Sequence, residues 1–432
     1  SMHYFCPHHD ALNLQIAQCH DFCYRYSYQI INEKDESLQE TLDLRECESM
    51  LFNFSHHYRI SDEMKCGQTD GGLPEFSSWK RLPPSPYLAK VLTQYGSPQN
   101  RMILKHQFVS DLGYHAVDLF CAAMSKTFSD TLALNLINIA DHDHENEEVS
   151  ERILCVLYTT EERHLHAVTT VVDTWGAKCD GFIAFSTVED MTIPTVSVPH
   201  GGEESYDNMW QKIVSIVKYI YEHYRTQFDW YYFAGDDAYL IVENLKSFLR
   251  TDEPIQSSRS SGKGIYIGQQ IYLDACSIFE SDKRNGGKYT FNTGGAGYVL
   301  DSVSLETVAK GLTPPSYNFT KSFDNSSEWS DPCKSTVKTS AEDVYMANCL
   351  RKFGIMPMET RDEGNRERFH HFSPGTAWNY NPPGGVSNDW WASHMLNFQN
   401  GSQCCSPSSI SFHYLQPNHM KAVDAYLYLC RP

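Results

Sequence analysis

The chain has 432 residues, 41% of them hydrophobic and 13% aromatic, and its formal net charge at pH 7 is −19. This length allows two or three domains with packed cores. The acidic balance argues against nonspecific binding to nucleic acid or to an anionic membrane, because both need a basic surface. No apolar run of about 18 residues and no signal peptide is visible, so no membrane-spanning helix is predicted. Ser1-Met2 is typical of a cloning remnant, so we expect that a native leader or membrane anchor was removed.

The cysteines and the glycosylation sequons indicate the compartment. The chain has 14 cysteines, an even number, and sequons that begin at Asn53, Asn318, Asn325 and Asn400. Together they favour an oxidising, secretory compartment over the cytosol, so most of the cysteines are expected to form disulfides.

The first predicted domain covers residues 1–150, and its role is unknown. Disulfides are favoured over a zinc site there, because no Cys/His spacing matches a known metal module. Its cysteines are Cys6, Cys19, Cys23, Cys47, Cys66 and Cys121. Short helical patterns occur near residues 87–94 and 114–139. The acidic run at 141–148 is interpreted as a solvated linker, with loose metal binding as the alternative, and it marks the domain boundary.

The second predicted domain, residues 151–432, alternates strand and helix patterns. Continuous apolar runs predict strands at residues 153–158, 181–185 and 229–234. Helical spacing predicts a helix over 165–175 and a long helix that starts near residue 207. This order predicts crossover connections and a largely parallel sheet, and therefore an α/β fold.

Adjacent carboxylates follow the third of these strands. Gly235, Asp236 and Asp237 come directly after it, before a helix that is predicted to begin at Leu240. Ligands bind at the carboxyl edge of an open α/β sheet, and adjacent carboxylates there suit a hard divalent ion that also holds a phosphate-bearing substrate. A turn in which one aspartate only caps the next helix is an equally good interpretation.

The glycine-rich segment at residues 292–300 lies beside another predicted strand. Its glycines permit close approach of the backbone to a ligand, although a glycine turn without a ligand is just as common. Before it, residues 257–264 are predicted to form a flexible loop and residues 265–267 a short strand. After it, the segment 313–338, rich in Pro, Ser and Asn, is predicted to be an exposed loop.

A later helix is predicted to open at Ser340 and to stop at Gly354. Asp343 lies in its first turn. There it either completes a Ser-x-x-Asp cap or stays ionised beside the positive end of the helix dipole, as a general base requires. His370 and His371 follow in an apolar setting, which is more typical of core histidines unless carboxylate ligands lie nearby.

Several motifs occur in a fixed order between Arg152 and Pro432. They are Arg152-Ile153-Leu154-Cys155, Thr174-Trp175-Gly176-Ala177-Lys178-Cys179, Tyr221-Glu222-His223-Tyr224, Asp229-Trp230, Gly294-Gly295-Ala296-Gly297-Tyr298-Val299-Leu300, Glu342-Asp343, Phe369-His370, Cys404-Cys405-Ser406 and Ser411-Phe412-His413-Tyr414. With these motifs the segment resembles the core 1 β1,3-galactosyltransferases, which belong to the larger family that includes fringe and other β1,3-glycosyltransferases. Residues 1–150 show no such resemblance.

The resemblance implies a GT-A fold and an inverting, Mn²⁺-dependent transfer of a sugar, galactose above all, from a UDP-sugar to a glycan hydroxyl. The acceptor it implies is GalNAc on Ser/Thr of glycoproteins, with a β1,3 linkage. By the same match, Asp237 and His370 bind the metal and Asp343 is the catalytic base. The implied donor-binding residues are Thr159, Lys212, Asp236, Gly294 and Gly295. Trp378 and Tyr380 match the segment that lines the family's acceptor pocket.

Some of these assignments have alternatives. Lys212 is as readily a solvated lysine on a helix face, and Trp378 is as readily a core residue. Gly235 stands where the family has the first aspartate of an Asp-Asp-Asp motif, and Ala238 stands where it has a threonine. Because a relative of the core 1 enzymes is a chaperone without the metal motif, an inactive chaperone or glycan-binding protein is the alternative function. Residues 384–403 form an insertion beside the acceptor segment.

The resemblance also implies two disulfides, Cys155–Cys179 and Cys333–Cys349. It implies a place in the secretory pathway, either in the Golgi lumen as the ectodomain of a type II membrane protein or as a secreted protein. The expected partners are a UDP-sugar and a glycoprotein or glycopeptide acceptor, without nucleic acid. A homo-oligomer is left open.

Overall fold

The structure is a computed structural model that describes residues 121–122, 125, 128–140, 151–190, 193–274, 288–312 and 333–430. Several sequence features lie outside these residues. They are the cysteines from Cys6 to Cys66, the helical pattern near 87–94, the acidic run at 141–148 and the sequons at Asn53, Asn318 and Asn325. Within the described residues, no helix has the length and apolar character needed to cross a membrane.

The chain divides into two compact units. The smaller unit contains Cys121 and Cys430, which form a disulfide. The larger unit contains the described residues from 128 to 427. Residues 128–140 pack within the larger unit although they precede residue 150, and the domain boundary near that residue stays a prediction.

The described residues of the larger unit form eleven strands and ten α-helices. The strands are β1 (Ile153–Tyr158), β2 (Gly181–Ser186), β3 (Thr195–Ser197), β4 (Trp230–Gly235), β5 (Tyr239–Leu240), β6 (Tyr266–Gly268), β7 (Gln270–Asp274), β8 (Lys288–Asn292), β9 (Tyr298–Asp301), β10 (Phe369–His370) and β11 (Ser411–Phe412). The helices are α1 (Thr131–Leu134), α2 (Thr169–Asp173), α3 (Met209–Tyr224), α4 (Val242–Thr251), α5 (Glu253–Ser260), α6 (Ser302–Gly311), α7 (Glu342–Lys352), α8 (Pro374–Asn379), α9 (Trp390–His394) and α10 (Pro417–Ala425).

Six strands form the central sheet in the order β3-β2-β1-β4-β9-β6. The first four run parallel, β9 is antiparallel to β4, and β6 is antiparallel to β9. The neighbouring central strands β1 and β4 are buried along almost their whole length, because both faces of the sheet are covered there. Val156 and Phe233 pack in the cluster that includes α3, whereas Tyr232 meets Trp175 edge to face at 5.9 Å. The predicted α/β class, with a mostly parallel sheet flanked by helices, is confirmed.

The long helix α3 begins two residues after the predicted start, behind a short 3-10 turn at Tyr206–Asn208. The apolar residues that fall at helical spacing are all buried, so this face packs on the sheet as its pattern predicts. They are Trp210, Ile213, Val217, Ile220 and Tyr224.

Two small sheets complete the larger unit. One has the strand order β10-β11-β5, with β11 antiparallel to β5, and the other is the β7-β8 pair. Residues 384–403 contact the β7-β8 sheet. Met395 forms an isolated β-bridge with Ile271, and the Tyr272 hydroxyl donates a hydrogen bond to the Ser393 carbonyl at 2.6 Å. The predicted insertion is therefore an ordered part of the fold, and it contains α9.

Three local predictions were wrong. The helix after the carboxylates begins at Val242 rather than at Leu240, because Tyr239 and Leu240 pair with β11 as a strand. Residues 257–264 are not one flexible loop, since α5 extends to Ser260 after a cap in which Asp252 accepts a hydrogen bond from Ile255 N at 3.0 Å. Helix α7 has no side-chain cap at its start, so Asp343 does not complete the predicted Ser-x-x-Asp cap.

The structure contains both of the disulfides that were expected in this region. The Cys155–Cys179 disulfide links β1 to the segment just before β2. The Cys333–Cys349 disulfide links the segment that precedes α7 to α7 itself. A third disulfide links the neighbouring residues Cys404 and Cys405.

Candidate functional site

Several elements converge at one edge of the central sheet. β1 and β4 are neighbouring parallel strands, so Thr159 after β1 and Asp236 and Asp237 after β4 reach the same edge. β9 is antiparallel to β4, so the glycine-rich segment that precedes β9 arrives at this edge as well. The site predicted at the carboxyl ends of the strands is therefore assembled from separate parts of the sequence.

Asp237 has a histidine partner that the sequence analysis did not assign. The register of β11 against β5 pairs Phe412 with Tyr239, which brings the next residue, His413, toward the turn of Asp237. Nε2 of His413 lies 3.4 Å from Oδ1 of Asp237. Burial alone would raise the pKa of Asp237, but the hydrogen bond and charge of His413 outweigh burial and lower it.

His370 lies on the face of the β10-β11-β5 sheet opposite to His413. It pairs with Phe412 and stacks on the Phe412 ring at 4.4 Å, and side chains of successive strand residues point to opposite faces. Its Nε2 lies 3.0 Å from Oγ of Ser409, and burial lowers its pKa to about 3. The structure therefore brings His413, and not His370, to Asp237.

His371 lies close to the same edge and is almost fully buried. Its ring stacks on Trp391 at 3.6 Å and meets His413 at 5.1 Å, while Nδ1 lies 3.4 Å from Oγ1 of Thr293. Nε2 has no hydrogen-bond partner among the described residues. This arrangement connects the insertion, through Trp391, to the histidine beside Asp237.

Asp236 is held by two neighbours rather than open to solvent. Oγ1 of Thr159 donates to Oδ2 of Asp236 at 2.5 Å, and Nε of Arg163 lies 2.7 Å from Oδ1. Burial raises the pKa of Asp236, against the opposing effects of Thr159 and Arg163. Thr159 and Asp236 thus lie in contact with each other, the half-exposed Arg163 joins them, and their donor-binding role stays a prediction.

Lys212 is buried and is not the solvated lysine of the alternative interpretation. Its ammonium donates to the Thr159 carbonyl and to Oε1 of Glu204, the latter at 2.7 Å. Burial lowers the pKa of Lys212. Burial would raise the pKa of Glu204, but His200 and Lys212 outweigh burial and lower it to about 2. Lys212 therefore sits next to Thr159 as one half of an ion pair.

The glycine-rich segment fits tightly against the acidic start of α7. The amide of Gly294 donates to Oδ2 of Asp343 at 2.9 Å. A Cβ at Gly294 would lie 2.2 Å from Oε1 of Glu342, and a Cβ at Gly295 would lie 2.5 Å from Nδ1 of His413. Both positions therefore need glycine, because any side chain would displace an acidic or imidazole group of the site.

The two carboxylates at the start of α7 have different surroundings. Glu342 is buried and accepts a hydrogen bond from Tyr298 at 3.0 Å, while burial, followed by the charge of Asp343, raises its pKa well above the usual range. Asp343 is partly exposed. Burial raises the pKa of Asp343 too, against the opposing amides of Gly294 and Val344. A partly exposed carboxylate with a raised pKa is suited to accept a proton from a ligand.

Trp378 and Tyr380, the residues expected on the acceptor side, pack elsewhere in the part of the chain that the structure describes. Tyr380 stacks on Phe372 at 4.5 Å and donates to Oδ2 of Asp389 at 2.9 Å, so it belongs to the packing of the insertion. Trp378 is partly buried in α8. Their acceptor role stays a prediction.

We use the name sheet-edge site for Asp237, His413, Gly294, Gly295 and Asp343. Its Asp237–His413 pair fits a divalent cation, because roughly 3 Å separates neighbouring ligands around an octahedral ion with bonds of about 2.1 Å. Carboxylate oxygen and imidazole nitrogen also suit Mn²⁺ and related metals. Among the described residues, no group of three or more His, Cys, Asp or Glu side chains could hold a metal ion. A cation here would therefore need further ligands from the substrate or from water.

Comparison with known proteins identifies the family. The model of the Fringe-like family matches residues 149–423. The chain belongs to the Fringe-like family. It is 26% identical to glycoprotein-N-acetylgalactosamine 3-beta-galactosyltransferase 1 of Xenopus laevis over 304 residues, which cover 69% of this chain and 73% of the relative. It is 25% identical to chondroitin sulfate synthase 3 of both Mus musculus and Homo sapiens over 162 residues, which cover 38% of this chain and 15% of each relative.

The fold agrees with membership of the Fringe-like family. The sheet described above is consistent with the GT-A fold of this family, and the homologues support a protein of the glycosyltransferase class. Sequence reasoning missed His413, although its motif had been noted, because only the register of β11 against β5 shows which imidazole meets Asp237. It also missed Arg163 and Glu204, which carry no motif and are found only through their ion pairs with Asp236 and Lys212.

Proposed function

We propose that this member of the Fringe-like family is an inverting glycosyltransferase that transfers a sugar, galactose in the first instance, from a UDP-sugar to a hydroxyl of a glycan acceptor. The observation that supports this function best is the sheet-edge site. There the neighbouring Asp237 and His413, which we propose bind a cation, and the partly exposed carboxylate of Asp343 lie on either side of a glycine segment that leaves no room for side chains.

Asp343 is the base in this proposal. The acceptor hydroxyl loses its proton to the Asp343 carboxylate as its oxygen attacks the anomeric carbon, and the bond from that carbon to the diphosphate oxygen breaks. One base and a direct displacement give inversion without a covalent enzyme intermediate. The Gly294 amide holds Asp343 in position through its hydrogen bond of 2.9 Å.

The remaining site residues act on the donor. Mn²⁺, when bound by Asp237 and His413, would neutralise the leaving diphosphate. The half-exposed Arg163 pairs with Asp236 at the ends of β1 and β4, and in this proposal its guanidinium also contacts a diphosphate oxygen. Lys212 stabilises this edge by donating a hydrogen bond from its ammonium to the Thr159 carbonyl. Because its ammonium also pairs with Glu204, it is not a free cation for the diphosphate.

The name of one relative supports the proposed acceptor, and the disulfides support the proposed compartment. The name of the Xenopus laevis relative specifies N-acetylgalactosamine and a 3-beta linkage, and we propose the same acceptor sugar and β1,3 linkage here. The disulfides indicate an oxidising compartment, so we propose the Golgi lumen or secretion, with glycoproteins or glycopeptides as acceptors.

The test is UDP release from a panel of UDP-sugars with Mn²⁺, measured with and without a GalNAc-bearing peptide. We expect release from UDP-galactose that rises when the glycopeptide is present, and a linkage analysis that shows a β1,3 product. Release that is specific for another UDP-sugar would change the donor but keep the reaction class. No release with any donor would contradict the proposed activity.

A second candidate, a chaperone or glycan-binding protein without activity, is favoured by Gly235 at the position of an expected carboxylate. Thermal unfolding in the presence of UDP and Mn²⁺ separates the two functions. A transferase is expected to be stabilised by the two ligands together, because binding to the folded state raises the melting temperature. Absence of such a shift, together with no UDP release, would favour the second candidate.

A further inference from the structure

Trp391 links the insertion, residues 384–403, to the sheet-edge site. Its ring stacks on the His371 ring with 3.6 Å between the centroids and 28° between the planes. His371 is only 4% exposed, so its imidazole is enclosed by its neighbours. A close-packed ring cannot turn without displacing the ring beside it, so the stacked indole restricts the orientations open to His371.

Helix α9, which carries Trp391, is anchored at both of its ends. At its start, Oδ1 of Asp389 accepts a hydrogen bond from the Ala392 amide at 2.8 Å. Near its end, the Ser393 carbonyl accepts a hydrogen bond from the Tyr272 hydroxyl of β7 at 2.6 Å. The indole is therefore presented to the site from a fixed backbone.

His371 contacts the histidine beside Asp237 through both its ring and its backbone. The His371 ring meets the His413 ring at 5.1 Å, and Nδ1 of His413 lies 3.1 Å from the His371 carbonyl oxygen. A carbonyl oxygen only accepts hydrogen bonds, so Nδ1 of His413 carries a proton and donates it. In the neutral imidazole, Nε2 of His413, 3.4 Å from Oδ1 of Asp237, is then the nitrogen that presents a lone pair to a cation.

Two further contacts join His371 to the start of the glycine-rich segment. The His371 amide donates to Oε1 of Gln269 at 2.6 Å, and Nδ1 of His371 lies 3.4 Å from Oγ1 of Thr293. The Thr293 amide in turn donates to the Gln269 carbonyl at 2.9 Å. Hydrogen bonds thus hold the backbone of His371, whereas its ring is held mainly by packing, in which the stacked indole is its closest described ring contact.

We propose that Trp391 is a positioning residue for the cation site. By stacking on His371, it holds the ring and the carbonyl that orient His413 toward Asp237. This inference rests on the proposed function, because the cation is the one that would neutralise the leaving diphosphate. Trp391 itself touches neither the cation nor the substrate. Residues 384–403 would therefore influence how tightly the sheet-edge site holds its cation.

The test measures Mn²⁺ binding to the full chain directly, without turnover. Isothermal titration calorimetry with Mn²⁺, at a fixed excess of UDP, compares the parent protein with Trp391→Ala and Trp391→Phe. Trp390→Ala is the matched control, because Trp390 lies in the same helix, is 46% exposed and stacks on His394 at 4.6 Å. Its loss can loosen α9 but leaves the indole that stacks on His371 in place.

We expect Trp391→Ala to raise the Kd for Mn²⁺ by roughly 3- to 10-fold, because Trp391 lies one contact further from the ion than the outer contacts that are worth 10- to 100-fold. Trp391→Phe keeps a flat ring and should stay within about twofold of the parent. Trp390→Ala should also stay within about twofold, as for an exposed side chain away from the site. An unchanged Kd in Trp391→Ala, or an equal loss in Trp390→Ala, would overturn the inference.

A double-mutant cycle identifies the route of the effect. His371→Ala removes the stacked ring but keeps the carbonyl. If Trp391 acts through His371, adding Trp391→Ala to His371→Ala should change the Kd by no more than about twofold. The full effect of Trp391→Ala in that background would show that His371 is not the link, and it would overturn the inference.

The tautomer of His413 is a readout that a general loss of stability does not change. It is measured by proton–nitrogen correlation NMR on metal-free protein labelled with ¹⁵N-histidine, at mildly alkaline pH, and the His413 signals are identified by their absence in His413→Gln. We expect the proton on Nδ1 in the parent and a mixture of the two tautomers in Trp391→Ala. A proton that stays on Nδ1 in Trp391→Ala would overturn the inference.

Failure of this inference and failure of the proposed activity have different signatures. Mn²⁺ binding that is weakened in Trp391→Ala, without UDP release from any UDP-sugar, would contradict the activity and support the inference. UDP release without any divalent ion, from a parent protein that does not bind Mn²⁺, would overturn the inference and keep the transferase. A parent protein that neither binds Mn²⁺ nor releases UDP would overturn both.

Discussion

Among single residues, the imidazole beside Asp237 is central to the proposed cation site. His413 lies 3.4 Å from Asp237, whereas His370 stacks on Phe412 on the opposite face of the small sheet. We expect His413→Ala to weaken Mn²⁺-dependent binding of UDP by at least about tenfold, since even outer contacts of a metal site are worth 10- to 100-fold. Titration of Mn²⁺ at fixed UDP, followed by thermal shift, measures this.

The matched variant is His370→Ala. It leaves Oγ of Ser409 without its imidazole partner and opens a gap beside Phe412, so we expect a loss of about 2 kcal/mol in unfolding free energy. The Mn²⁺ requirement should stay unchanged. The opposite pattern, with loss of the Mn²⁺ requirement in His370→Ala alone, would restore His370 as the metal ligand.

Asp343 offers a second prediction for a single residue. Asp343→Asn can still accept the hydrogen bond from Gly294 but cannot take a proton, so we expect retained UDP-sugar binding and a rate lower by roughly 10²–10⁴. Glu342→Gln is the control. The buried Glu342 carboxyl favours its neutral form, which glutamine mimics, so its rate should stay close to that of the parent.

The pH dependence of the activity tests the role of Asp343 as the base independently. Because burial raises its pKa and the base must be ionised, activity is expected to fall as the pH drops through that raised pKa. The acidic limb should therefore lie at a higher pH than for an ordinary aspartate. A parent profile without this limb, or the same limb in the residual activity of Asp343→Asn, would exclude the assigned role.

The glycine segment before β9 acts as a spacer between the helix α7 and the small sheet. We expect Gly295→Ala to push the His413 ring away from Asp237, because the added Cβ would lie 2.5 Å from Cε1 and Nδ1 of His413. The Mn²⁺ concentration required for half-maximal UDP binding should rise by at least about tenfold. Gly364→Ala, in a loop between α7 and β10, is the control and should leave this concentration unchanged. Equal responses of the two variants would show that the spacing is not important.

Comparison of elements with their sequence patterns shows what was predictable. The strands at Ile153–Tyr158 and Trp230–Gly235 follow from continuous apolar runs, because both faces of these strands are buried. The two-residue strand β5 was missed, since pairing with β11 outweighs the local helical pattern at Leu240. The choice between His370 and His413 depends on the register of that same pairing, so no spacing in the sequence could decide it.

For the whole larger unit, Asp130 joins three distant parts of the chain. It is almost fully buried, accepts a hydrogen bond from Gly375 in α8 at 3.0 Å and pairs with His419 of α10. Asp130→Ala should lower the unfolding free energy by roughly 3 kcal/mol or more, because it leaves a buried amide and an imidazole without their partner. Urea unfolding followed by tryptophan fluorescence measures this loss.

Leu132→Ala is the control for that experiment. Leu132 is 53% exposed on α1, so its loss should change the unfolding free energy by no more than about 0.5 kcal/mol. A similarly small effect of Asp130→Ala would show that residues 128–140 are dispensable for the larger unit, in keeping with the predicted boundary at residue 150.

Two ion pairs, Arg163–Asp236 and Lys212–Glu204, lie near the ends of β1 and β4. Arg163 and Lys212 each face a carboxylate at 2.7 Å, so together these pairs add no net positive charge to an edge that is otherwise acidic. If the proposed function holds, the charge of an incoming diphosphate would be neutralised mainly by the cation bound with it rather than by these ion pairs. Occupancy of such a site depends on the product of two concentrations. The divalent ion level of the compartment would thereby act as a second input, alongside the supply of nucleotide sugar.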